Sequence, residues 1–257
     1  MIKDEYKKDL EAFEKFKRSR VYLSNSPQFK KIYELSYIIY NLLPYASSDS
    51  ELCRYSILIK RDLVSSIDLI DMQHFESAKR DLRSMIETVF RLIAYTLKGY
   101  IYTKRKEKKI YGSSSQIHNI RSALDTHKIG KLTSLIKDLF EKTIIYPNVK
   151  SLLDLYTSFS DTIHTNTQPK MLHNDLVSLT KHTNNEFKLF SEDILLLLSN
   201  TIVIIYFSRL IYFSRDLLIQ QNFYYINRTL NTYISKDFLI KIQNNYLDGI
   251  YINFTKY

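Results

Sequence analysis

Backbone breakers are scarce in this chain, with four glycines and four prolines in 257 residues. A sheet protein of that length needs many tight turns, and tight turns draw heavily on Gly and Pro. The scarcity favours long helices joined by few loops, and 45% hydrophobic residues are ample for a core. The expectation is an all-α protein, a bundle of long up-and-down helices forming a single domain over residues 1–257.

Helix signals divide the chain accordingly. Ser26 and Pro27 read as N-cap and N1 of a helix ending near Pro44. Asp49 or Ser50 caps a second helix, to about Asp71, with Leu52, Ile57, Leu58, Leu63, Ile67 and Ile70 apolar. A third begins near Gln73 and runs at least to Leu97. Gly112 to Ser115 breaks the chain before short helices at about Gln116–Asp125 and Lys131–Lys142. Pro147 opens a helix that His164 closes, with Pro169 forbidding its immediate continuation. A long apolar helix spans about Asn185–Gln220, and Ser235 caps a last one to about Tyr246. Residues 1–22 read as a charged N-terminal helix or arm, with no apolar run of the secretory kind.

Ile194 to Ser208 is a run of fifteen residues without a charge. It is shorter than the roughly 20 residues needed to cross a bilayer, and Ser199, Asn200 and Thr201 interrupt it. The central helix of a bundle, not a membrane span, is expected. The lone Cys53 excludes an internal disulfide and a multi-cysteine zinc site, and it fits a cytoplasmic protein. The formal net charge of +10 favours a polyanionic partner, RNA or another nucleic acid. Lys104, Arg105, Lys106, Lys108 and Lys109, with Tyr100, Tyr102 and Tyr111 nearby, combine cations for phosphate with rings for base stacking. A solvated helix end is the competing reading.

Two polar clusters occupy positions where helical periodicity would put apolar side chains. Arg80, Arg83, Glu87 and Arg91 fall within a stripe about 80° wide at 100° per residue. The stripe borders the apolar arc of Leu82, Ile86, Val89, Phe90, Ile93 and Leu97. Arg83 and Glu87 therefore stand at the edge of the core and need partners. Ser160, Asp161 and His164 form the second cluster, beside an apolar face of Leu152, Leu155, Tyr156, Phe159 and Ile163. No phosphate-binding glycine loop, dinucleotide fingerprint, zinc motif or nucleophile elbow is present, so no cofactor or metal is implied.

The runs Arg80-Asp-Leu-Arg-Ser-Met-Ile-Glu87 and Leu155-Tyr-Thr-Ser-Phe-Ser-Asp-Thr-Ile-His164 resemble the HEPN-type helical proteins. They are similar to a bacterial branch in which an Arg/Glu helix faces one ending in Ser-Asp-x-x-His. The resemblance covers about residues 49–215. It implies a HEPN-like bundle, frequent homodimers, and roles among RNA-cleaving toxins, abortive infection and phage defence, with an antitoxin or another defence protein as a partner.

The family's best-known signature, Arg followed after four to six residues by His, has no counterpart before His164. A formal match, Arg121 to His127, lies elsewhere. On a continuous helix those side chains point about 120° apart, so a helix end between them is required. Two functions follow. In the first, the protein is a metal-independent endoribonuclease in which His164 is general acid or base, Arg83 replaces the missing local arginine, Glu87 holds Arg83, and Asp161 or Ser160 orients the imidazole. In the second it is a noncatalytic nucleic-acid-binding or protein-interaction module, whose polar residues fix helix register.

Overall fold

The computed structural model describes residues 11, 15, 23–43, 49–112, 114–126, 128–163, 184–220, 234–252 and 254, leaving aside the side chains of 25, 161–163, 184–186 and 213–220. Among these residues the protein is all-α, with eight helices and no strand. They are α1 (Pro27–Leu42), α2 (Ser50–Asp71), α3 (Phe75–Glu107), α4 (Ser115–Asp125), α5 (Ile129–Phe140), α6 (Tyr146–Ile163), α7 (Asn184–Gln220) and α8 (Lys236–Asn245).

Two of the expected start signals, Ser26 and Asp49, act as side-chain caps. Ser26 Oγ accepts from Phe29 N, with Pro27 at N1, after a short 3₁₀ turn at Leu23–Asn25. Asp49 accepts from the amides of Glu51 and Leu52 at the head of α2. Ser235 holds the cap position of α8 but makes no side-chain bond there. The turn from α2 into α3 uses Gln73 at φ 61, a left-handed residue that reverses the chain in three positions.

α3 is the structural axis. It packs along most of α2 and also meets α4, α5, α6 and α7. Its apolar arc, from Leu82 through Leu97, is almost wholly excluded from water. Each such Leu, Ile or Phe contributes about 1.5–3 kcal/mol of burial. α7 lies against α1, α3 and α6, and apolar residues of all eight helices join one core. Phe75, at the head of α3, stacks on Phe190 of α7 with ring centres 4.7 Å apart.

By length and composition Phe187–Tyr212 could cross a membrane, and 78% of its most apolar window is buried inside the protein. The polar interruption at Asn200 has a packing role. Its amide nitrogen donates to Ser151 Oγ at 2.9 Å and to Leu196 O at 2.8 Å, while its oxygen accepts from Asn148 at 2.8 Å, setting the register of α6 on α7.

The C-terminus of α1 is closed by cations from other helices, because its last turn holds no basic residue of its own. Arg209 of α7 donates to Leu42 O at 2.8 Å, and Lys60 of α2 donates to Leu43 O at 3.2 Å. Burial lowers the pKa of both. Among the apolar residues of α2, Ile57 faces water, while Tyr55 and Ile59 beside it are buried. α3, expected at least to Leu97, runs on to Glu107, with Lys104, Arg105 and Lys106 in a last turn where cations suit the helix dipole.

Candidate functional site

Arg83 and Glu87 sit one turn apart on α3 and meet α6 through Tyr156. Arg83 Nη2 donates to Tyr156 Oη at 2.9 Å, and that hydroxyl donates to Glu87 Oε1 at 2.9 Å. Arg83 Nε lies 3.7 Å from the same carboxylate oxygen, within ion-pair range but beyond a hydrogen bond. The guanidinium carbon is 5.0 Å from the centre of the Tyr156 ring. Tyr156 is buried, whereas Arg83 and Glu87 are partly open to solvent. Burial raises the Tyr156 pKa; the bond to Glu87 adds to that, and the bond from Arg83 opposes it. Arg83 Nε is buried and makes no hydrogen bond.

The rest of the charged stripe separates. Arg80 faces solvent. Arg91 turns to the C-terminus of α4, donating to Leu124 O at 2.7 Å and Thr126 O at 3.2 Å. It is a cap supplied from a neighbouring helix.

On α6, Ser160 Oγ donates to Tyr156 O at 2.7 Å, so toward any further group this hydroxyl is an acceptor only. The side chain of Asp161 and all of His164 lie outside the described residues, as do His127, His173 and His182. Tyr156 itself was legible only as a member of the apolar face. Its amphipathic character, at the rim of that face and one turn before Ser160, was the available signal.

The basic run is not uniform. Arg105 is 2% exposed and donates to Gly112 O at 3.3 Å, which turns it from a phosphate contact into a pin for the loop after α3. Lys104 pairs with Glu107 at 2.8 Å, a bond that raises its pKa. Lys108 Nζ stands 3.9 Å from the centre of the Phe254 ring. Lys106 and Lys109 face solvent.

An open polar cleft between α4 and α5 is lined by His118, Arg121, Ser122, Asp125, Thr126 and Lys131. Lys131 Nζ donates to Ser122 Oγ at 2.6 Å. α4 ends at Asp125, between Arg121 and position 127. No group of His, Cys, Asp and Glu suited to a metal ion occurs among the described residues.

These features define an all-helical protein whose α3 and α6 are joined by an Arg–Tyr–Glu bridge. No family model, no curated protein and no solved structure matches the chain.

Proposed function

We propose that the protein acts on RNA as a HEPN-like, metal-independent endoribonuclease of a bacterial defence or toxin system, with its site beside the Arg83–Tyr156–Glu87 bridge. The bridge is the observation that carries the reading. It ties the Arg/Glu stripe of α3 to α6, the helix whose sequence continues through Ser160 and Asp161 to His164. In the reaction a base removes the ribose 2′-OH proton, and the 2′-oxygen attacks phosphorus. The P–O5′ bond breaks and the leaving 5′-oxygen takes up a proton, giving 2′,3′-cyclic phosphate and 5′-hydroxyl ends. His164 supplies proton transfer, and Arg83 stabilises charge on the phosphate. Glu87 and Tyr156 are positioning residues for the guanidinium.

Expression in a bacterial host tests this. Wild type slows growth and fragments total RNA, and His164→Ala abolishes both. Normal growth with intact RNA at high expression overturns the proposal. Loss of cleavage in Arg121→Ala with retention in Arg83→Ala moves the site to the α4–α5 cleft.

The second reading, a noncatalytic module, draws on a specific observation: Arg83 and Arg91 are both bonded to other helices, as register-fixing residues would be. It predicts that Arg83→Ala lowers the melting temperature by stranding Glu87 and that His164→Ala changes nothing.

A further inference from the structure

The end of α3 and the last stretch of the chain are held together on one side of the molecule. Gln116, at the head of α4, donates Nε2 to Tyr251 O at 2.8 Å. Lys108 Nζ stands over the Phe254 ring. Tyr246 lies within electrostatic reach of Tyr100 and Lys104. Gly249, at φ +80, lies so close to the Lys142 carbonyl that a Cβ would stand 2.0 Å from its oxygen. Contacts so spaced fix the C-terminal segment against the ends of α3 and α4.

Three tyrosines at this end of the molecule face water: Tyr102 is 61% exposed, Tyr111 76% and Tyr251 75%. Tyr102, Lys106 and Lys109 follow at i, i+4 and i+7, one stripe of the helix continued into its cap. Exposed rings of this size contribute little to folding, and three at one end form a surface. The surface is also pre-organised. Arg105 is buried and bonded to Gly112 O, while Lys109 N and Ile110 N bond back to Lys106 O and Arg105 O. Ordering it on binding therefore costs little.

We infer that this end is a platform for single-stranded RNA, with Tyr102, Tyr111 and Tyr251 stacking on bases while Lys106 and Lys109 meet phosphates. Charge and π-faces together select this partner. A duplex hides its base faces, and an anionic bilayer would call for a cluster of inserted aliphatic side chains, whereas among the described residues from 246 onward Leu247 is the one large exposed aliphatic. The choice of RNA rests on the function proposed above, and the platform adds a binding surface separate from the Arg83 bridge.

The test is fluorescence anisotropy of a labelled 2′-O-methyl oligoribonucleotide of about 12 nucleotides, long enough for one such surface and unable to react through a 2′-hydroxyl. Each of Tyr102→Ala, Tyr111→Ala and Tyr251→Ala weakens binding roughly 5- to 100-fold, and each Phe variant binds within about twofold of wild type. Lys106→Gln with Lys109→Gln lowers the slope of log affinity against log salt by about 1.4, two single-strand phosphates at about 0.7 each. The inference is overturned if the alanine variants bind as wild type, if a duplex of equal length binds as well, or if phosphatidylserine vesicles, but not the oligomer, are held through the tyrosines. Tyrosine-dependent binding without cleavage of unmodified RNA sinks the catalytic proposal alone. Cleavage whose KM ignores all three alanine variants sinks the platform alone.

Discussion

Tyr156→Phe removes one hydroxyl and nothing else from the α3–α6 bridge. That hydroxyl accepts from Arg83 and donates to Glu87, so both bonds involve a charged partner, a class worth about 1.5–3 kcal/mol each when well shielded. The shielding is incomplete, since the Arg83 and Glu87 side chains are 22% and 30% exposed. Water can replace part of each bond, and the 3.7 Å ion pair can close to compensate. A net loss of about 1–2 kcal/mol is expected, equivalent to a fall in Tm of roughly 2–4 °C for a chain of this size. Urea denaturation at pH 8 reads it directly, and the double-mutant cycle with Glu87→Gln isolates the coupling at 0.5 kcal/mol or more. Because the Tyr156 pKa is raised on folding, the wild type's advantage is complete below pH 10 and shrinks as pH rises through the folded value. A Phe variant within about 0.3 kcal/mol of wild type, with no coupling to Glu87, would refute the bridge.

Arg91→Ala strips the caps from Leu124 O and Thr126 O; hydrogen exchange across α4 should quicken about tenfold, with α2 unchanged. Gly249→Ala drives a Cβ into the Lys142 carbonyl at a left-handed position, so the C-terminal segment should lose exchange protection or the protein about 1–3 kcal/mol of stability in denaturation. Folding raises the pKa of Tyr55, Tyr95, Tyr100 and Tyr156 alike, chiefly by burial. The folded state holds protons that the unfolded chain releases, so global stability should fall steadily above pH 10 in an alkaline urea series.

The architecture was legible because its signals are local. Ser26, Pro27 and Asp49 announce helix starts through cap chemistry that depends on a few neighbouring residues. The arc from Leu82 to Leu97 is a periodicity that tertiary contacts reinforce and do not alter. The partners of polar side chains were less legible, because they are set by which helix lies opposite. Arg83 and Glu87 could be read as needing a partner, yet nothing local to α3 names Tyr156, 73 residues away from Arg83. Arg105 looked like its basic neighbours in the run, and only the return of the chain to Gly112 shows it to be buried. Ile57 is apolar yet faces water, because Tyr55 and Ile59 beside it hold the buried positions of that turn. Asn200 appeared as an interruption of an apolar run because its partners, Asn148 and Ser151, lie on another helix.

If Arg83 and His164 serve one reaction, their losses do not add. The decisive measurement is the single-turnover cleavage rate of end-labelled single-stranded RNA in EDTA for wild type, Arg83→Ala, His164→Ala and the double variant. The expected result is cleavage by wild type to 2′,3′-cyclic phosphate ends, about 10²- to 10⁴-fold slower in each single variant, with the double variant no slower than the worse single. RNA left intact by wild type, or cleaved as fast by His164→Ala as by wild type, would contradict it.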